Sequence, residues 1–271
     1  MIQNQAIDFN GISIATKTSG SGKDAIIFIH GSCMDSDAWS PQFGNKELTN
    51  KYQLIAFDLP GNGRSGWYQS DTTGYRPKNI GLFIRTLLQE HAIERFLLVG
   101  LSYGTNIIGE IQTPIPGCVG IMLESPCIVN DVFTAAEILT PGPNGHVIVA
   151  ANPTDQELRD YIFLHEKNKE IAEGYIKTYR AADPAFREEL GKAMFEKDLT
   201  DELENIKKWN LPVCVAFGKD ETLIKINYLN DFDPLWNKKV YLIEDAGHFI
   251  NKAAPGAFNE LLLAFASGCF K

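Results

Sequence analysis

Gly100-Leu101-Ser102-Tyr103-Gly104 reads as G-x-S-x-G and directly follows the apolar run Phe96–Val99. In that setting a serine sits on a tight strand-to-helix turn, with small residues two positions to either side so that the backbone can pass. A free serine hydroxyl is a poor nucleophile and needs a general base. His248, in Ala246-Gly247-His248-Phe249 after the last apolar run, is the best candidate, because an imidazole titrates near neutrality and can take and return a proton. His30 is the competing base, although its place before Gly31 suits it better to bracing its own loop. A carboxylate that holds the imidazole tautomer is expected in Gly218-Lys219-Asp220-Glu221-Thr222. Glu221 is favoured there over Asp220, which suits a cap, and Glu124 is a third candidate. Such a constellation would perform acyl transfer through a covalent serine intermediate.

Acyl transfer also needs donors for the carbonyl oxygen as it becomes negative. Backbone amides can supply them: that of Tyr103, just after the serine, and one from His30-Gly31-Ser32-Cys33, where Ser32 is preferred. Gly31 and Cys33 of the same loop are expected to border the substrate, and Cys33 has no evident base to make it a second nucleophile. Asp58-Leu59-Pro60-Gly61-Asn62-Gly63-Arg64 reads as a structural turn in which Arg64 pairs with Asp58. No phosphate-binding glycine pattern and no locally spaced metal-ligand cluster is visible, so neither a nucleotide cofactor nor a metal is expected.

The elements that must position these residues are legible as short apolar runs. Ala25–Ile29, Gln53–Phe57, Phe96–Val99, Gly120–Leu123, Val213–Phe217 and Val240–Ile243 suit strands buried on both faces of a parallel sheet. Ile7–Ser19 alternates around Asn10-Gly11 and predicts a hairpin of two edge strands. Asn79–His91 and Pro255–Phe265 carry helical stripes that would cover the sheet. The alternation predicts an α/β fold with a mostly parallel, doubly wound sheet. Between Glu124 and Pro212 no buried strand is evident. Thr154–Lys167, Lys169–Ala181 and Pro184–Lys197 instead predict charged amphipathic helices, an inserted cap over residues 126–208 on a core of residues 1–125 and 209–271.

Composition narrows the function classes. The chain has 271 residues, 44% hydrophobic and 22% charged, enough apolar content for a large core. Its 34 acidic against 25 basic residues, a formal charge of −9, disfavour a nucleic-acid partner, which needs clustered cations. The longest apolar stretch, Leu261–Ala266, is far short of the roughly 20 residues that cross a bilayer, so no membrane span is expected. Five cysteines without a C-x-x-C pair and an N-terminus without a signal-like core point to a cytoplasmic protein with reduced thiols.

The segments H-G-S-C, D-L-P-G-N-G-R-S, G-L-S-Y-G, G-K-D-E and A-G-H-F occur here in the order found in the α/β-hydrolase superfamily, and the resemblance spans nearly the whole chain. Within it, Arg180–Asp183, Ala193–Lys197, Pro234–Trp236 and Asp245–His248 resemble the metal-independent N-acyl-homoserine lactone hydrolases, which also carry a glutamate as triad acid in G-x-D-E. The resemblance implies Ser102, His248 and Glu221 as a triad, and Tyr161 as a phenol that reaches the substrate. It departs from that pattern at Asn62, Tyr103 and Ser32. The expected function is hydrolysis of a neutral ester or lactone, with an apolar acyl pocket built from Tyr161, Phe163, Phe186 and Phe195. General carboxylesterase, C–C bond hydrolase and small-molecule receptor are the alternatives.

Overall fold

Asn10 and Gly11 both adopt positive φ (52° and 78°), which closes the tight turn between β1 (Gln3–Phe9) and β2 (Ile12–Ser19). In the computed structural model, which describes residues 1–196 and 198–271, this hairpin opens an eight-stranded sheet. The other strands are β3 (Ala25–Ile29), β4 (Gln53–Phe57), β5 (Phe96–Leu101), β6 (Cys118–Glu124), β7 (Val213–Gly218) and β8 (Leu235–Ile243). Their spatial order is β1-β2-β4-β3-β5-β6-β7-β8. Only β1 of the hairpin lies at an edge, contrary to the expectation of two edge strands: β2 pairs antiparallel with β4, and Ile14, Thr16, Lys17 and Ser19 are buried accordingly. From β4 to β8 all pairings are parallel.

The parallel strands are apolar throughout because both faces are covered. Ile27, Ile29, Ile55, Phe57 and Leu98 face one layer with Phe83 and Leu87 of α1 (Pro77–Glu90). Ile26, Phe28, Leu54 and Val99 face the other with Trp39 and with Phe258 and Phe265 of the C-terminal helix. Each fully buried side chain of this size contributes roughly 1.5–3 kcal/mol. β8 starts earlier than the apolar run at Val240 suggests, since its first half is the exposed segment Asn237–Lys239.

The segment that carries Ser102 runs from β5 into α2 (Tyr103–Gly109). Between β6 and β7 the chain forms α3 (Asp155–His165), α4 (Lys169–Ala181), α5 (Pro184–Phe195) and α6 (Glu202–Lys208), and it ends in α7 (Pro255–Cys269). Local signals set the starts of the inserted helices: a reciprocal capping box of Thr154 and Glu157, the Asn168 side chain, and Asp183 ahead of Pro184. Lys197, where the third predicted helix ends, lies outside the described residues. Buried Arg187 of α5 holds the insertion together by donating to the carbonyls of Ala150 (2.8 Å), Ala151 (2.5 Å) and Tyr179 (3.1 Å), and it lies over the Tyr179 ring. No described helix is long and apolar enough to cross a membrane.

Candidate active site

Ser102 stands between β5 and α2 at φ 51°, ψ −120°, a region that side-chain-bearing residues avoid. The flanking glycines permit this turn. A Cβ on Gly104 would fall 2.3 Å from the Ile29 carbonyl oxygen, and one on Gly100 would fall 2.8 Å from that of Gly104. The Ser102 N–H donates to the Glu124 carbonyl (2.9 Å), which extends the β5–β6 ladder into the turn.

His248 follows β8, and its Nδ1 lies 2.7 Å from Glu221 Oε2 in the loop after β7. A carboxylate only accepts, so Nδ1 carries the proton and Nε2 is left free to accept one. The Glu221 side chain is fully buried, and its Oε1 accepts from the Leu223 N–H at 2.8 Å. Burial alone would raise its pKa. The charge and hydrogen bond of His248 and the Leu223 and Ile224 amides outweigh that, holding the carboxyl below its ordinary value. Asp220 is exposed, and its N–H donates to the Ala246 carbonyl (2.9 Å), tying the acid's loop to that of the histidine. Glu124, the third candidate acid, makes no hydrogen bond to His248: its Oε1 accepts from the Asn251 N–H (2.7 Å). His30 braces its loop, with Nδ1 on the Gly31 carbonyl (2.7 Å) and Nε2 accepting from Leu59 N–H (2.9 Å), and burial lowers its pKa. Asp58 accepts from Ser36 and Arg64, as the turn reading requires.

Ser102 and His248 line one cavity together with Gly31, Ser32, Tyr103 and Tyr161. The hydroxyl and the imidazole are not hydrogen-bonded to each other. Among the described residues the Ser32 and Tyr103 N–H groups have no partner either, which leaves both for a ligand oxygen. Tyr175 of α4 donates its hydroxyl to the Ser32 carbonyl at 3.2 Å, a bond from the insertion to the loop that carries one of these amides. The cavity is narrow, with a volume of about 70 Å³.

Its walls differ from the expectation. Of the four aromatic residues foreseen, Tyr161 alone is in the lining, buried, its hydroxyl making no hydrogen bond among the described residues. Phe186 instead packs edge-on against Tyr75 and Tyr103, and Phe195 is 55% exposed. Cys33 is not in the lining: at φ 55° its thiol turns toward Arg187 in the buried layer, and burial pushes its pKa up to about 11. Sequence reasoning missed Ile148, Ile162, Tyr175, Tyr179, Leu190 and Met194, which supply apolar wall from the insertion. The Tyr175–Tyr179 pair, one helical turn apart, was the available signal. Cys127 was also missed. It lies in the same wall, donates to Asn106 Oδ1 (2.9 Å) and is pushed up to about 12 by burial, so it is no rival nucleophile.

Two polar residues at the end of α3 also face the cavity. His165 sits between the Thr222 hydroxyl (2.9 Å) and the Pro141 carbonyl (3.1 Å), with its pKa lowered by burial. Burial raises that of Glu166. Among the described residues no group of three His, Cys, Asp or Glu side chains could hold a metal ion.

Three similarities to known proteins bear on this arrangement. The chain is 24% identical over 277 residues to the dihydrolipoyllysine-residue acetyltransferase component of the acetoin cleaving system of Cupriavidus necator, covering 97% of this chain and 69% of that one. A structure of the N-acyl homoserine lactonase AidH, a mutant complexed with N-hexanoyl homoserine lactone, superposes with a TM-score of 0.89 at 21% identity over 98% of both chains. Est816, described as an N-acyl homoserine lactone degrading enzyme, gives 0.74 at 18% identity over 96% of this chain and all of that one. At such identities the likeness is one of fold. Residues 26–261 match the model of the alpha/beta hydrolase family, which takes in the serine turn, the acid loop and the histidine loop alike, and the chain belongs to that family.

Proposed function

We propose that this chain is a serine hydrolase that opens a neutral lactone, or cleaves a carboxylic ester, through an acyl-enzyme, with N-acyl homoserine lactones as the substrate class. The reading is carried by one observation: the buried His248–Glu221 pair opens onto the same narrow, apolar cavity as Ser102 at its strained turn. Ser102 Oγ attacks the lactone carbonyl as its proton passes to His248 Nε2, and the oxyanion takes the Ser32 and Tyr103 amides. Collapse breaks the ring C–O bond, and the leaving oxygen receives the proton from His248. Water, deprotonated by the same nitrogen, then attacks the acyl-enzyme, and Ser102 leaves with the proton returned. The absence of a Ser102–His248 hydrogen bond without substrate is compatible with this route, since such bonds often tighten only in the Michaelis complex.

The narrow apolar wall suits a flexible acyl chain, and the free Tyr161 hydroxyl suits the polar ring or amide at its head. The substrates named for AidH and Est816 support the lactone assignment. The purified protein should open N-hexanoyl homoserine lactone to the ring-opened acid, seen by mass, in the presence or absence of a chelator. It should also gain a single fluorophosphonate adduct on Ser102. Turnover of p-nitrophenyl hexanoate or a vinylogous diketone with an inert lactone would overturn the lactone assignment. No adduct and no turnover of any of the three would overturn the enzyme and leave a capped receptor. Activity that disappears with chelator would contradict the metal-free route.

A further inference from the structure

β6 ends in Glu124, and Ser125 follows it; their side chains have no part in the reaction proposed above, yet both are fully buried beneath it. Between them they touch all three segments that bring the reacting groups together. The Glu124 carbonyl accepts from the Ser102 N–H at 2.9 Å, and the Ser125 N–H donates to the carbonyl of Ala216, in the strand that leads to Glu221, at 2.8 Å. Those two bonds continue the sheet ladders and would form with many side chains. The other two are different in kind. Ser125 Oγ donates to the His248 carbonyl at 2.8 Å, and Glu124 Oε1 accepts from the Asn251 N–H at 2.7 Å, so the histidine loop is held at two points by side chains from the strand end. Ser125 takes φ 42°, out of the extended range of the strand it follows.

We infer that Glu124 and Ser125 are positioning residues, which clamp the His248 loop so that its imidazole stands between Ser102 and Glu221. The inference rests on the proposed serine mechanism. A misplacement of about 1 Å in such a group can cost up to about 10²-fold in rate, and among the described residues Glu221 alone is hydrogen-bonded to the imidazole ring. Burial raises the Glu124 pKa well above its ordinary value despite the opposing Asn251 and Ile250 amides, and its Oε2 has no partner among the described residues. Gln is its near-isosteric replacement, and Leu removes the acceptor.

The test measures the rate of Ser102 labelling by a fluorophosphonate, normalised to folded protein by thermal unfolding, for wild type, Ser125→Ala, Glu124→Leu and Glu124→Gln. The downfield proton resonance of the His248–Glu221 hydrogen bond is followed in parallel. Ser125→Ala and Glu124→Leu are expected to label about 10-fold more slowly and to shift or broaden that resonance, with Glu124→Gln within about twofold of wild type. If Glu124→Leu does not fold, Ser125→Ala decides. Wild-type rates and an unmoved resonance in the folded variants would overturn the inference while leaving the serine mechanism intact. A wild type that does not label at Ser102 would instead overturn that mechanism, and the positioning role with it.

Discussion

The left-handed backbone of Ser102 costs a residue with a side chain about 1–3 kcal/mol, and the surrounding residues have to hold it there. Gly104 is the most exacting of them. Gly104→Ala would set a methyl group 2.3 Å from the Ile29 oxygen and 2.9 Å from that of His30, both main-chain atoms that cannot turn aside. It should lower stability by about 3 kcal/mol or more, read as the urea midpoint, and abolish fluorophosphonate labelling. Behind the cavity wall, Glu202 accepts from Asn106 Nδ2 and the Val129 N–H, both at 2.8 Å, while its other oxygen has no partner. Burial, reinforced by nearby Glu110 and opposed by the Val129 amide and Asn106, raises its pKa well above the ordinary 4.5. The folded state therefore keeps a proton that the unfolded chain releases, and this group removes stability as pH rises above about 4.5. Glu202→Gln should equal wild type near pH 4 and gain on it toward pH 8, by at most about 1.4 kcal/mol per pH unit, in matched urea titrations. At this scale the serine and histidine were legible because G-x-S-x-G and the chain order restrict them. The choice between Glu221 and Asp220 stayed a preference, because only the turn closed by Glu221 N–H on the Gly218 carbonyl decides which neighbour points inward.

Among the elements, the inserted helices were readable from their charged, periodic sequences and their caps, and the observed bounds fall within a few residues of the expected ones. Which residues of those helices meet the cavity was not. Periodicity identifies an apolar face without naming its neighbour, so Phe186 went to the Tyr75–Tyr103 layer and Phe195 to the surface. Arg187 shows how α5 is tied to the rest of the insertion, since its guanidinium donates to the Ala151 and Tyr179 carbonyls and shares that of Ala150 with the Tyr179 hydroxyl. Arg187→Met would take the guanidinium from the buried Tyr179 carbonyl and from the half-buried Ala151 carbonyl. A loss of about 2–4 kcal/mol is expected by chemical denaturation, with cleavage by a limited dose of protease appearing first within the insertion.

For the whole molecule, the parallel core was legible because strands buried on both faces must be apolar throughout, and the helices between them must cross over. The place of β2 inside the sheet and the early start of β8 were not, since one depends on long-range pairing and the other on an exposed polar segment. The narrow cavity depends on the same long-range assembly, for its walls come from the sheet loops and from α3, α4 and α5 together. If acyl chains fill it, kcat/KM should rise with chain length by about threefold to fourfold per methylene, from ~0.8 kcal/mol each, and then level off. Leu190→Trp should bring that plateau to shorter chains, measured across a homologous series of N-acyl homoserine lactones.

The bond from Tyr175 to Ser32 gives this enclosure a further meaning. In the proposed mechanism, any displacement of α4 would pull on the loop whose Ser32 amide is to receive the substrate oxygen. The proposed reaction would then depend on α4 being seated against that loop.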